Sequence, residues 1–196
     1  MIFRRKSPQI LVVDDFYSDP HAVRVLALDQ EYEPDDRYFK GKRSKKMLFP
    51  YVKEEFERLL GVKITDWTTQ PANGCFQKTT SEDPLVWHSD TQSYAGAIYL
   101  NAAHEYRDEE AHGTSFWKGN EYDIRRPSGN AHINDETYSE FNLTHSDNWT
   151  LVDRVGSVFN RLVLWDGQLI HSATSYEGFT EEDPRLVHLF FFSVAS

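Results

Sequence analysis

The sequence holds one cysteine, two methionines and no apolar run approaching the roughly 18 residues of a membrane span. A lone cysteine excludes an intrachain disulfide framework and any metal site built from several thiolates. Basic residues are in deficit: 21 Lys and Arg face 31 Asp and Glu, for a net charge of −10. That balance argues against nucleic acid and membrane surfaces as partners. Met1 to Lys6 is basic, but the apolar stretch Ile10 to Val13 runs at once into Asp14 and Asp15. It is too short for a secretory signal. These absences predict a soluble, cytoplasmic protein, and the sequons at Asn142 and Asn148 then read as chance occurrences. What is plentiful is aromatic, with 5 Trp, 10 Tyr and 13 Phe beside eight His. Aromatics suit β-rich cores, and histidines bind metal.

Along the chain, Gln9 to Phe16 reads as a strand. Ser18-Asp19-Pro20 then supplies a cap and a first-turn proline for a helix over about 20–30. Tyr51, Val52, Phe56, Leu59 and Leu60 form a second helical stripe that Gly61 ends. Between them, Arg37, Lys40, Lys42, Arg43, Lys45 and Lys46 read as a solvated loop, or as an electropositive wall beside a substrate site. After Gly61 the texture turns to short β-branched and aromatic runs. Strands are expected near 62–67, 74–79, 85–90, 94–101, 113–118, 150–155, 158–165, 168–173 and 185–194. Asp166-Gly167 between two apolar runs signals a tight hairpin. The polar stretch of about 119–149 reads as a long excursion of the kind that often forms a lid. The expectation is one domain, 1–196. Residues 1–61 would give an N-terminal strand and supporting helices, and 62–196 a jelly-roll core carrying that insertion.

Three signals carry chemistry. In Trp87-His88-Ser89-Asp90, strand alternation puts His88 and Asp90 on one face, where an imidazole and a carboxylate can share a metal ion. His171 follows an apolar strand and the Asp166-Gly167 turn. Two His and one carboxylate make a facial triad that leaves metal positions open, as non-haem Fe(II) and O2 chemistry requires. Arg185 shares a strand face with Val187, Leu189 and Phe191. A cation there needs a partner: an acid of the 177–183 loop, or a ligand carboxylate gripped by its fork.

In this order, His88-x-Asp90, His171 and Arg185 resemble the Fe(II)/2-oxoglutarate-dependent oxygenases, which fold as a double-stranded β-helix. Ile98-Tyr99-Leu100-Asn101, Gly113-Thr114-Ser115-Phe116-Trp117 and Asn160 to Gly167 resemble strands of the prolyl-hydroxylase-like branch, in the size of its small prokaryotic members. The resemblance covers roughly 73–194. It implies Fe(II) held by His88, Asp90 and His171, and the distal carboxylate of 2-oxoglutarate held by Arg185. Tyr99 would donate to that carboxylate, and Thr114 would help line the cosubstrate pocket. Leu189 stands where some relatives carry a hydroxyl, and the stretch from His171 to Arg185 is long for the family, so the loop 176–183 must be extruded. The implied activity consumes O2 and hydroxylates a C–H bond of a prolyl or other amino-acid side chain, with release of succinate and CO2. The substrate would be a small molecule, a peptide or a protein. Asp90 favours hydroxylation over halogenation, because the halogenating subclass lacks that carboxylate. Two other readings compete. One is a cupin-like metal enzyme without 2-oxoglutarate, which would not need Arg185. The other is a non-catalytic β-sandwich binding module, in which the three ligands would not converge.

Overall fold

The computed structural model describes residues 8–34, 41–102, 112–119 and 146–195. Eleven strands and two helices lie within them. In chain order these are β1 (Ile10–Val13), α1 (Pro20–Leu28), β2 (Glu33–Pro34), β3 (Lys42–Lys46), α2 (Pro50–Leu60), β4 (Ile64–Asp66), β5 (Cys75–Thr79), β6 (Tyr94–Tyr99), β7 (Thr114–Gly119), β8 (Trp149–Val155), β9 (Leu162–Asp166), β10 (His171–Ala173) and β11 (Arg185–Val194). One 3-10 turn, Ser146–Asn148, precedes β8. Most of the expected excursion, and His104, His132 and His145 with it, lies outside the described residues. No helix among those described is long and apolar enough to cross a membrane.

The strands form two antiparallel sheets. The larger runs β1-β9-β6-β11-β5-β3-β2, with β4 pairing the far end of β11, and the smaller runs β10-β7-β8. β11 organises the molecule because it is apolar on both faces. Leu186, His188, Phe190 and Phe192 alternate with Arg185, Val187, Leu189 and Phe191. The even-numbered side packs with Val23 and Ala27 of α1 and with Val52, Phe56 and Leu60 of α2. The odd-numbered side packs between the sheets, against Ala95, Ala97, Tyr99, Phe116, Val163 and Trp165. Each helix starts and stops where its sequence permits. Asp19 accepts the Ala22 N–H at 3.0 Å with Pro20 behind it, and Gly61 ends α2 at a φ of 68° that costs a residue without Cβ little.

Three expectations are corrected. Asp166-Gly167 does not close a hairpin: β9 pairs with β1 and β6, whereas β10 pairs with β7 in the other sheet. The turn moves the chain between sheets because its backbone bonds to the 90–93 segment instead. Asp90 donates its N–H to the Gly167 carbonyl at 2.6 Å, and Gly167 donates to the Ser93 carbonyl at 3.1 Å. Residues 85–90 contribute one isolated bridge, His88 to His171, rather than a strand. Lys42–Lys46, within the basic segment read as a solvated loop or as an electropositive wall, is not a loop but a strand paired with β5, because cross-strand hydrogen bonding tolerates lysines whose heads reach water. The N-terminal segment therefore does more than support the core, since β1, β2 and β3 belong to the large sheet.

His188, on the helix-facing side of β11, is fully buried. Its Nε2–H points at the Gly74 carbonyl at 3.1 Å, so Nδ1 accepts from the Tyr17 hydroxyl at 2.7 Å. Burial pushes its pKa down to about 3 from 6.5. The unfolded chain thus binds a proton that the folded one refuses. The contribution of His188 is complete above pH about 6.5 and is lost as pH falls toward 3, at about 1.4 kcal/mol per pH unit. Urea unfolding between pH 6 and 4 is expected to show a shallower loss of stability for His188→Gln than for the parent. Equal slopes would assign the proton uptake to another group.

Candidate metal centre

His88, Asp90 and His171 reach one point from two directions. Asp90 and His88 come from the extended 85–93 segment, and His171 opens β10. The His88–His171 bridge and the Asp90–Gly167 hydrogen bond lock these two pieces of backbone together. Gly167 is required there. A Cβ would strike the Gln92 carbonyl oxygen and stand 3.3 Å from the Asp90 Cβ.

One potential ligand atom from each of the three residues lies within 4.8 Å of the others. Asp90 Oδ1 is 3.8 Å from His88 Nε2, and Oδ2 is 3.4 Å from His171 Nε2. The side chains of Asp90 and His171 are 7% and 6% exposed, while that of His88 is 26% exposed and sits at the open side. Each ring is held from behind: Nδ1 of His88 bonds the Val86 carbonyl at 3.1 Å, and Nδ1 of His171 bonds the Leu169 carbonyl at 2.8 Å. A carbonyl only accepts, so the proton sits on Nδ1 and the Nε2 lone pairs face Asp90. Burial, with His88 alongside, pushes the His171 pKa well below the ordinary value, so that ring is neutral. Burial pushes the Asp90 carboxyl up, against the opposing charges of His88 and Arg43. Asp90 Oδ2 is buried without a hydrogen-bond partner among the described residues. Lone pairs from three groups thus converge where only a proton or a cation relieves them. The donor set fits a divalent ion with open positions opposite.

An open-mouthed cavity adjoins the triad. His88, His171, Trp165, Thr114, Arg185 and Tyr176 are in its wall, and Arg43 and Gln77 extend it across the large sheet. Arg185 is 4% exposed. Its Nε donates to the His112 carbonyl at 3.2 Å and Nη2 to the Gly113 carbonyl at 3.5 Å. The rings of Tyr99 and Tyr176 flank it, at 5.6 and 5.8 Å. Of the two candidate partners, an acid of the 177–183 loop is not the one found. Glu181 instead pairs with Lys42 at 2.7 Å, and no carboxylate of the described residues pairs with Arg185. Within that loop Glu177, Gly178, Thr180, Glu181 and Glu182 are exposed, while Phe179 is buried against His112.

Tyr99 is fully buried, and its hydroxyl bonds Thr114 Oγ1 at 2.8 Å. Of that pair, Thr114 lies in the cavity wall and Tyr99 stands behind it. Sequence reasoning missed Tyr176 and Gln77, and left Arg43 within a general basic patch. Gln77 and Arg43 were detectable only as alternate positions on strands, and β3 was not recognised as one.

The architecture, two antiparallel sheets with the triad at one end, is the double-stranded β-helix, and solved structures share it. HygX from Streptomyces hygroscopicus, with nickel and 2-oxoglutarate bound, matches with a TM-score of 0.60 at 12% identity, over 95% of this chain and 83% of that one. A Pseudomonas putida prolyl-4-hydroxylase matches with a TM-score of 0.53 at 11% identity, over 96% and 94%. A Trichoplax adhaerens prolyl hydroxylase, in complex with a hypoxia inducible factor peptide, matches at 0.52 and 14%, over 94% and 84%. The chain therefore has the fold of the Fe(II)/2-oxoglutarate oxygenases. It belongs to DUF6445, a family of unknown function, whose model matches residues 2–185. No curated protein matches it in sequence.

Proposed function

We propose that the chain is a non-haem Fe(II)- and 2-oxoglutarate-dependent dioxygenase. It hydroxylates a C–H bond of a prolyl or other amino-acid side chain, free or within a peptide or protein, and releases succinate and CO2. The observation that carries the reading is the convergence of His88, Asp90 and His171 beside a buried Arg185 that no acid of the described residues neutralises. The arginine discriminates: a metal enzyme without a dicarboxylate cosubstrate has no use for it, and a binding module needs neither feature.

His88, Asp90 and His171 would hold the ion, the imidazoles through the Nε2 atoms that face Asp90. When bound, iron supplies the oxygen chemistry, in which one atom of O2 goes to succinate and the other to the substrate. Arg185 receives the distal carboxylate of 2-oxoglutarate. Thr114 presents a hydroxyl to the same pocket, and Tyr99, through its bond to Thr114, sets the direction of that hydroxyl. Trp165, whose ring centroid is 4.9 Å from that of His171, and Phe116 behind it keep water from the inner side.

Purified protein with Fe(II), ascorbate and 2-oxoglutarate is expected to release succinate faster with an amino-acid or peptide substrate, with +16 Da products by mass spectrometry. No 2-oxoglutarate binding by calorimetry, together with no succinate across a broad panel, would end the reading. Gly167→Ala is expected to weaken metal affinity by roughly 10- to 100-fold, because the added Cβ displaces the Asp90 segment. Unchanged titration by Ni(II) calorimetry would show that the Gly167 contact does not set the ligand geometry.

A further inference from the structure

We infer that Tyr176, with Thr79 beside it, is the hydroxyl donor to the distal carboxylate held by Arg185, in place of Tyr99. The inference rests on the oxygenase reading and adds to it a cosubstrate-binding residue outside the sequence pattern. Arg185 is flanked by two tyrosine rings, and each tyrosine stands beside a threonine. The two pairs differ. Tyr99 is fully buried, shares its hydroxyl with Thr114 and stands behind the cavity wall. Tyr176 is half-buried and lies in that wall. Thr79 is the cross-strand partner of Arg185, so the two side chains leave the sheet on one face. The Thr79 hydroxyl is buried and makes no hydrogen bond of good geometry among the described residues, although it stands close enough to the phenol to favour its ionised form. A buried hydroxyl in that state is costly unless a ligand completes its surroundings.

Burial pushes the Tyr176 pKa up against the charge of Arg185, so the phenol keeps its proton at neutral pH. A carboxylate on Arg185 supplies an acceptor for that proton. The phenol donates to the carboxylate, and Thr79 then donates to the phenol oxygen. Arg185 gives Nε and Nη2 to the His112 and Gly113 carbonyls and has further N–H groups for the same ligand. The long stretch between His171 and Arg185 brings Tyr176 back beside Arg185 and fixes it there. Thr174 donates its N–H to the Gly113 carbonyl at 3.1 Å, and Phe179 donates to the Tyr176 carbonyl at 3.2 Å. Phe179 is buried with its ring 5.0 Å from that of His112, and its carbonyl accepts the Ser81 N–H at 2.9 Å. His112 and Gly113 thus anchor both Arg185 and the loop that carries Tyr176.

The test is calorimetry on Ni(II)-loaded protein, so that binding is read without turnover. Tyr176→Phe keeps the ring beside Arg185 and removes only the hydroxyl. It is expected to weaken 2-oxoglutarate binding roughly 10- to 100-fold, with Ni(II) affinity and the Tm of the metal-free protein unchanged. Tyr99→Phe should weaken it by less than about threefold. Thr79→Val should weaken it by about two- to fivefold and leave the metal-free protein at least as stable, because it removes the unsatisfied hydroxyl. 2-Oxopentanoate, which has a methyl group in place of the distal carboxylate, should bind Tyr176→Phe and the parent within about twofold of each other. The inference is overturned if Tyr176→Phe binds 2-oxoglutarate like the parent, if Tyr99→Phe loses more than Tyr176→Phe, or if Tyr176→Phe weakens 2-oxopentanoate as much as 2-oxoglutarate. If the parent protein binds no 2-oxoglutarate, the oxygenase reading falls, and this inference with it.

Discussion

Asp90→Asn is expected to abolish metal-dependent succinate formation, by at least a hundredfold, without unfolding the protein. Asparagine keeps the shape but removes the one anionic ligand, leaving two neutral imidazoles. Metal at 100 times its dissociation constant stabilises a binding fold by about 2.7 kcal/mol. For a chain of this size that is a rise of roughly 5–10 °C in Tm. The variant should lose that rise. Its metal-free form should be at least as stable as the parent at pH 7. Burial raises the Asp90 pKa, so keeping this group ionised at pH 7 costs the folded state free energy, and an amide escapes that cost. Differential scanning with and without Ni(II) separates the two effects. A retained metal-induced shift would remove Asp90 from the ligand set.

Arg185→Met is expected to weaken 2-oxoglutarate binding by about 2–5 kcal/mol, or roughly 30- to several-thousand-fold, with metal affinity unchanged. Among the described residues, Arg185 has backbone carbonyls and ring faces as its partners, so an apolar side chain of similar length should not destabilise the free protein. Arg185→Lys should recover part of the affinity, since an ammonium keeps the charge but lacks the planar fork. Calorimetry of 2-oxoglutarate against Ni(II)-loaded variants reads both terms. Parallel loss of metal and cosubstrate would mean that Arg185 supports the sheet, not the ligand.

The two substitutions also separate what could be read at each level. The His88-x-Asp90 pair was legible because extended backbone alternates faces whether or not it pairs in a sheet. Here it hardly pairs, and the two side chains still converge. Arg185 was legible because β11 is so uniformly apolar that a cation in its pattern stands out. The two helices were legible from local signals, a capping Asp19 with Pro20 and a stripe closed by Gly61. The hairpin reading of Asp166-Gly167 failed for the opposite reason. Turn chemistry is local, but which strand the chain joins next depends on what stands beside the turn, and that is the 90–93 segment. Likewise β3 was hidden by its lysines: a strand's pairing is made by backbone, and composition reports only side chains.

The chain's order of residues by itself determined the β-rich core, the flanking helices and the candidate ligands, because periodicity and residue chemistry are properties of a few neighbours. Only the tertiary structure decided that His171 meets Asp90 and that Glu181 goes to Lys42 rather than Arg185. It also decided that Tyr99 stands behind Thr114 and that Arg43 faces the same cavity. Those outcomes depend on strand register between segments far apart in sequence, and a shift of one residue would turn each of these side chains to the other face.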